Sequence, residues 1–199
     1  MDHFVVTINR QFGSLGRPIA RKMSEILKVD YYDRDIVDAV ARQTGMPVSV
    51  VSDKEETAKS GFFYMSFPLG RGTTQTQDAI FRTQQQIIAG IGDRESCIIV
   101  GRCSDYILRG QPNLIRIFIY APYEKRLSNC VNSLHMTPET AKKMIRDVDR
   151  ARDAYHVRYA GYIPSDFSHT DIMIDSSCLG VDGTATYLCD FVNAKVSIR

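Results

Sequence analysis

A glycine-containing turn follows the first apolar run of the chain. Residues 4–8 are apolar enough for a buried strand, and Gly13, Ser14, Gly16 and Arg17 come shortly after it. A helical pattern of apolar residues starts at the end of this turn. Backbone N–H groups in such a turn, together with the first turn of the next helix, form a site for a phosphate or another anion. The order of parts is therefore typical of a phosphate-binding loop.

The loop departs from the usual pattern G-x-x-x-x-G-K-[ST] at three positions. Gln11 stands at the first glycine, Arg17 at the lysine and Pro18 at the hydroxyl residue. Arg17 keeps the positive charge and can pair with a phosphate bidentately. Pro18 has neither the hydroxyl nor an N–H donor, although proline is well tolerated at a helix start. The residues alone leave open whether the loop binds phosphate or is only a tight turn.

Charged residues also follow two later predicted strands. Asp33 follows a short strand at 31–32, at the sheet edge where ligands bind in open α/β folds. One role for its carboxylate is to help hold Mg²⁺, through water, or to orient a hydroxyl near a phosphate. The other is to cap the helix that begins at Arg34 or Asp35, and the two roles are compatible. Arg102 follows an all-apolar strand, and we expect it on a ligand phosphate or in a structural ion pair.

An arginine-rich helix is predicted from residue 138 to about residue 155. Its acidic and basic residues at spacings of three and four could simply pair along an exposed face. Arg150 and Arg152 exceed what such pairing needs, so they are candidates for a basic lid over transferring phosphates. On one continuous helix they would point about 200° apart, so a shared phosphate requires the helix to end or bend near them.

Strands alternate with helices along the chain, which predicts a parallel sheet with helices on both faces. An aromatic segment at 60–76 has no regular period and is predicted to be a mobile loop. The predicted strands are 4–8, 31–32, 97–101, 114–120 and 171–175, and the predicted helices are 17–27, 36–43, 77–91, 123–134, 138–155 and 181–194.

Composition narrows the class of protein. The 199 residues suit one domain, and 44% of them are apolar. The net charge of +2 is too small to favour nucleic acid as a partner. The five cysteines form no C-x-x-C pair and the four histidines no metal-binding pattern. We expect a cytoplasmic protein without signal peptide, membrane span or disulfide, and the sequence leaves its oligomeric state open.

In this order, the motifs resemble those of the cytidylate kinase-like family, a branch of the P-loop nucleoside monophosphate kinases. The resemblance rests on the segment Arg10-Gln-Phe-Gly-Ser14, the Tyr-Tyr-Asp-Arg segment that ends at Arg34, the Val-Gly-Arg segment that ends at Arg102, and the lid arginines. It extends to residues 117–126 and 171–182, and so covers nearly the whole chain. In this branch arginine often stands where the kinases proper have lysine, which matches Arg17.

The resemblance implies an α/β P-loop kinase fold over residues 1–199, with a five-stranded parallel sheet, an acceptor-side flap at about 45–78 and a lid at about 137–162. It implies ATP as donor and Mg²⁺ as cofactor. The residues expected on the donor phosphates are Gly13, Ser14, Gly16 and Arg17. Those expected in catalysis are Arg17, Asp33, Arg150 and Arg152, and those expected at the acceptor are Arg34 and Arg102.

Three positions depart from the cytidylate kinases proper. Cys103 stands where they have an aspartate at the nucleotide site, Ala39 lies near the place of another acceptor arginine, and Leu15 replaces a common glycine. The expected function is ATP-dependent phosphoryl transfer to a nucleoside monophosphate, cytidylate-like, or to a related small acceptor. The alternatives are a nucleotide-binding regulatory protein without turnover and a small-molecule kinase with a non-nucleotide acceptor.

Overall fold

A computed structural model describes residues 3–33, 36, 39, 42–43, 45 and 74–198 of the chain. Arg34 lies outside the described residues, as does the aromatic segment up to residue 73. Most of the predicted flap and of the helix predicted at 36–43 lies outside them too.

Five parallel strands form the centre of the structure, in the order β2-β3-β1-β4-β5. Apolar β-branched residues dominate the three inner strands, which are buried on both faces. In register, Val5 of the central strand lies beside Cys97 on one side and Leu114 on the other. The strands are β1 (Val5–Arg10), β2 (Asp30–Tyr32), β3 (Cys97–Val100), β4 (Leu114–Tyr120) and β5 (Ile172–Asp175).

Helices cover both faces of this sheet. In the described part of the chain they are α1 (Gly16–Leu27), α2 (Thr74–Arg94), α3 (Ser104–Ile107), α4 (Tyr123–Asn132), α5 (Pro138–Ala160) and α6 (Gly180–Ser197), with a 3-10 turn at Phe167–His169. Alternate strand residues face opposite layers. Ile98 and Val100 pack with α1 and α6, whereas Cys97 and Ile99 pack with α2. A third apolar cluster joins α4 to α5 beside Phe12.

The five-stranded parallel sheet predicted from the alternation of elements is confirmed. Two boundaries differ in ways that matter for the site. Strand β1 continues to Arg10, two residues beyond the predicted end at residue 8. Helix α5 runs to Ala160 instead of ending near Tyr155, and Gly161 then stops it with a left-handed backbone at φ 85°. None of the helices in the described ranges is long and apolar enough to cross a membrane.

Candidate active site

The loop between β1 and α1 has a backbone that only particular residues allow. Gly13 has φ 78°, and a Cβ there would lie 2.8 Å from the carbonyl oxygen of Arg126. Leu15, which replaces a common glycine, is also left-handed, at φ 59°. The loop therefore keeps the tight turn despite Leu15, and Gly13 is required both for its conformation and for the close approach of α4.

Hydrogen bonds fix the loop from beneath. The buried Ser14 hydroxyl donates to the carbonyl oxygens of Gln11 and Ile119, at 2.9 and 3.2 Å. Ser176 Oγ donates to the carbonyl oxygen of Ser14 at 2.7 Å, and Asn129 Nδ2 to that of Gly13 at 2.8 Å. Because its carbonyls are held by the protein interior, the loop is preorganised. The Ser14 side chain acts as an anchor in this structure.

A cleft of about 490 Å³ opens above the loop, and we call it the loop cleft. Gly13, Gly16 and Arg17, three of the four residues predicted on the donor phosphates, line it, whereas the fourth, Ser14, is buried. Arg10 and Arg152 line it too. Three arginines therefore line the cleft at the start of α1, an arrangement suited to a polyanion.

Arg17 and Asp33 form an ion pair at the edge of the loop cleft. Arg17 Nε lies 2.5 Å from Asp33 Oδ2, and the Tyr31 hydroxyl donates to the same oxygen at 3.3 Å. Burial favours the neutral acid, but Arg17, Arg10 and Arg102 outweigh it and hold the pKa of Asp33 below its usual range. The carboxylate is thus anionic, and Arg17 links it to the loop.

The side chain of Arg10 runs from the loop to the end of β3. A Cβ at Gly16 would lie 2.8 Å from the Arg10 Cβ, and a Cβ at Gly101 would lie 2.5 Å from the Arg10 Nη1. Both glycines therefore leave room for this arginine. Arg10 is not among the site residues predicted from the sequence, although it is a charged residue at the end of an apolar strand, the same signal that indicates Arg102.

Three consecutive residues after β3 have left-handed backbones. Their φ angles are 72° at Gly101, 63° at Arg102 and 52° at Cys103. Two non-glycine residues in a row in this region are rare and are held by their surroundings. Cys103 is buried, and burial raises the pKa of its thiol, so the group is neutral. Cys103 therefore cannot supply the charge of the aspartate found there in the cytidylate kinases proper.

A second cleft, of about 560 Å³, lies beside the first, and we call it the strand-end cleft. Its polar lining comes from several elements and consists of Asn9, Arg10, Gln84, Arg102, Arg152, Tyr155 and His156. Arg10 and Arg152 are shared with the loop cleft. The two clefts therefore adjoin at two arginine residues.

Polar side chains of helix α5, the predicted lid, form hydrogen bonds to the neighbouring elements. Phe12 N–H donates to Asp149 Oδ1 at 2.7 Å, and the buried Arg126 donates to the other oxygen of that carboxylate. Arg152 Nη1 donates to the carbonyl oxygen of Arg10 at 3.2 Å. Further along the helix, Tyr155 Oη donates to Gln84 Oε1 of α2 at 2.7 Å. These contacts tie the lid helix to the loop, to β1 and to α2.

The two lid arginines occupy different surroundings. Because α5 is continuous through both positions, they project on different sides, as the 200° separation requires. Arg152 lines both clefts, whereas Arg150 is exposed and is not among the described residues that line them. The structure thus brings Arg17, Asp33, Arg102 and Arg152 to one edge of the sheet and leaves Arg150 outside this group.

The described residues offer little for direct binding of a metal ion. They contain no cluster of three or more histidine, cysteine, aspartate or glutamate side chains suited to one. Asp33 is the predicted water-mediated ligand, and its oxygens already accept hydrogen bonds from Arg17 and Tyr31. Pro18 lies in the first turn of α1 and has no side-chain oxygen to offer there. The donor set fits a metal carried by phosphate oxygens and reached by Asp33 through water.

Comparison with known proteins identifies the family of this chain. The sequence model of the cytidylate kinase-like family matches residues 5–178, so the chain belongs to that family. A search of curated proteins by sequence finds no match. Membership of this family and the fold support phosphoryl transfer of the kinase type, with a nucleotide as a ligand.

Solved structures share the P-loop kinase fold of this chain. An uncharacterized protein from Eubacterium ventriosum ATCC 27560 matches with a TM-score of 0.73 and 23% identity, over 96% of this chain and 98% of that one. A shikimate kinase from Bacteroides thetaiotaomicron matches with a TM-score of 0.59 and 7% identity, over 96% and 99% of the two chains. A shikimate kinase from Acinetobacter baumannii, in complex with shikimate, has a TM-score of 0.50 and 16% identity, over 98% and 92%.

Proposed function

We propose that this protein transfers the γ-phosphoryl group of ATP to a small anionic acceptor, a cytidylate-like nucleoside monophosphate or a related compound. The observation that carries the proposal is the meeting of the two clefts at Arg10 and Arg152. A phosphoryl group passes between donor and acceptor without free diffusion, so their sites must adjoin. Guanidinium groups at the junction would face the charge that develops on the transferred group.

The loop cleft is the proposed donor site. Gly13 and Gly16 allow the phosphates to approach the backbone, and Arg17 supplies a charge at the start of α1. Bound Mg²⁺ would neutralise part of the negative charge of the phosphates. Asp33 would hold a water of its hydration shell, since Pro18 cannot act as a ligand. Arg17 and Asp33 are paired, so each fixes the orientation of the other.

The strand-end cleft is the proposed acceptor site. Arg10, Arg102 and Arg152 favour an acceptor that carries a negative charge, and Gln84 offers an amide for its uncharged part. We propose Arg34 as a further acceptor residue, on the family resemblance alone.

Catalysis would consist mainly of positioning and charge stabilisation. Arg152 is the stronger candidate of the two lid arginines, because it lines both clefts. Arg150 lies on the outer side of α5, so it would act on the phosphates only through its charge at a distance, or after a movement of the lid.

The proposal is tested by the acceptor dependence of ADP formation. The purified protein is incubated with Mg²⁺-ATP and, one at a time, with nucleoside monophosphates, shikimate and small neutral alcohols. We expect ADP above the acceptor-free background only with anionic acceptors. Tight binding of ATP without ADP formation from any compound would instead favour the regulatory, non-catalytic protein.

A further inference from the structure

A buried charge cluster joins the lid helix to the segment after β3. Asp105 of α3 and His156 of α5 are 3% and 2% exposed, and His156 Nε2 lies 3.0 and 3.1 Å from the two carboxylate oxygens of Asp105. Tyr162 Oη donates to Asp105 Oδ2 at 2.9 Å. His156 lines the strand-end cleft, whereas Asp105 lines neither cleft, and the donor and acceptor sites described above give neither residue a role.

The hydrogen bonds of His156 define its charge. Its Nδ1 faces the carbonyl oxygen of Tyr162 at 2.8 Å, and a carbonyl can only accept a hydrogen bond. Its Nε2 faces the Asp105 carboxylate, which also accepts from Tyr162. Both ring nitrogens must therefore carry a proton, and the imidazolium form satisfies both contacts.

We propose that Asp105 and His156 are positioning residues that clamp the lid helix to the sheet edge and so hold Arg152 at the junction of the clefts. His156 follows Arg152 by four residues on a continuous helix, so the two side chains lie on one face, one turn apart. Arg152 already contacts the end of β1 through the carbonyl oxygen of Arg10. The clamp fixes the next turn of the same helix. This inference rests on the proposed function.

The surroundings of the clamp make it sensitive to pH. Burial lowers the pKa of His156, but Asp105 and the Tyr162 carbonyl outweigh burial and hold it above the usual value, with Asp153 adding to the effect. Burial raises the pKa of Asp105, but His156, Asn9 and Tyr162 outweigh burial and hold it below the usual range. The other titratable or charged groups nearby are Cys103, Arg116 and His169.

The directions of these two pKa shifts determine the pH range in which the clamp is stable. The contribution of Asp105 to stability is present above its ordinary pKa of about 3.9 and is lost as the pH falls through the lowered value. The contribution of His156 is complete below its ordinary pKa of about 6.5 and is lost as the pH rises through the raised value. The clamp therefore weakens on the alkaline side, when His156 loses its proton.

The test measures kcat, and KM for ATP, between pH 5.5 and 9 for the wild type, His156→Gln and His156→Leu, with His3→Gln as the exposed control. We expect His156→Leu to lower kcat about 10²-fold, the scale for a small misplacement of a catalytic group, with little change in KM for ATP. We expect His156→Gln, which keeps a donor to Asp105, to recover part of kcat. The alkaline decline of kcat in the wild type should be absent from both variants.

A wild-type kcat and pH profile in His156→Leu would overturn the clamp. So would a variant that loses only thermal stability while keeping kcat at a temperature where it is folded. If His156→Leu does not fold, the test rests on His156→Gln. An alkaline decline of kcat like that of the wild type would overturn the clamp, and its absence would support it.

An activity-independent measurement separates this inference from the proposed function. Hydrogen exchange at one pH should show faster exchange in residues 150–160 of His156→Gln than of the wild type. Absence of turnover in the wild type would overturn the proposed function and, with it, the catalytic purpose of the clamp. Unchanged exchange in His156→Gln would overturn the clamp itself, whatever the activity.

Discussion

Arg10, Arg17 and Arg152 line one cleft, and their charges repel one another at short range. The ion pair with Asp33 offsets part of this repulsion on the side of Arg17. A bound polyanion would bring further negative charge to these three arginines. At the scale of single residues, the candidate site is therefore built for anions.

Replacement of Arg17 by alanine should weaken ATP binding by about 1.5–3 kcal/mol, the range for a hydrogen bond to a charged group. Calorimetric titration with ATP measures the change. Arg21→Ala is the matched control, because Arg21 is exposed on the same helix. Equal affinities of Arg17→Ala and Arg21→Ala, with both proteins folded, would remove the loop cleft from the donor site.

The two lid arginines should differ in their effect on turnover. We expect Arg152→Ala to lower kcat by about 10²-fold, the scale for one lost charge-stabilising donor, while nucleotide affinity changes little. Arg150→Ala should lower it much less, because Arg150 is exposed. Steady-state kinetics of both variants measures this, and a larger loss for Arg150→Ala would mean that the lid moves before catalysis.

Gly101 should tolerate no side chain. Alanine there would have to adopt φ 72°, at a cost of roughly 1–2 kcal/mol, and its Cβ would displace the Arg10 guanidinium. We expect Gly101→Ala to lower kcat by about tenfold or more. Gly110→Ala is the control, since a Cβ at Gly110 meets nothing within 4 Å. Equal kcat values for the two variants would show that Arg10 is not needed at the junction.

At the scale of elements, the loop and the lid helix are linked by one carboxylate. Asp149 of α5 accepts from Phe12 N–H of the loop and pairs with Arg126 of α4. Arg126 also donates to the carbonyl oxygen of Phe12 at 3.3 Å, so both polar groups of one loop residue are held. A movement of the lid must therefore break contacts to the loop, which couples donor binding to the position of the lid.

Loss of this carboxylate should destabilise the fold. Asp149→Ala removes the carboxylate partner of the largely buried Arg126 and the acceptor of the Phe12 N–H, which should lower the free energy of unfolding by about 1–3 kcal/mol. Asp149→Asn keeps one acceptor oxygen and should lose less. Urea denaturation measures both, with Asp147→Ala, which removes an exposed ion pair of the same helix, as the comparison. Asp149→Ala and Asp147→Ala variants of equal stability would contradict the link.

Features of the fold that depend on a local pattern of residues could be predicted from the sequence. Alternating apolar runs indicate the parallel sheet, and Thr137 before Pro138 marks the start of α5, where its side chain accepts from Thr140 N–H. Contacts between distant residues have no local signal. His156 and Asp105 are 51 positions apart, and neither has the spacing of a known motif. Helix α5 is longer than the sequence predicts because its last turns are held by polar and aromatic contacts and lack a periodic apolar stripe.

At the scale of the whole molecule, the strand order explains why these residues meet. Strand β1 is central, with β3 and β2 on one side and β4 and β5 on the other. The chain leaves β1 for one side and later crosses to the other, and ligands bind at such a crevice in open parallel sheets. The ends of β1 and β3 place Arg10 and Arg102 there, and α5 closes over them.

The most direct test follows the label from ATP. With γ-³²P-ATP, Mg²⁺ and cytidine monophosphate, or with the best acceptor of the panel, label is followed into the acceptor and into free phosphate. Arg152→Ala and exposed Arg146→Ala serve as the variant and its control. We expect label in the acceptor in proportion to ADP, dependent on Mg²⁺ and strongly reduced in Arg152→Ala alone. ADP formation with label only in free phosphate, or no ADP with any acceptor, would contradict phosphoryl transfer between the two clefts.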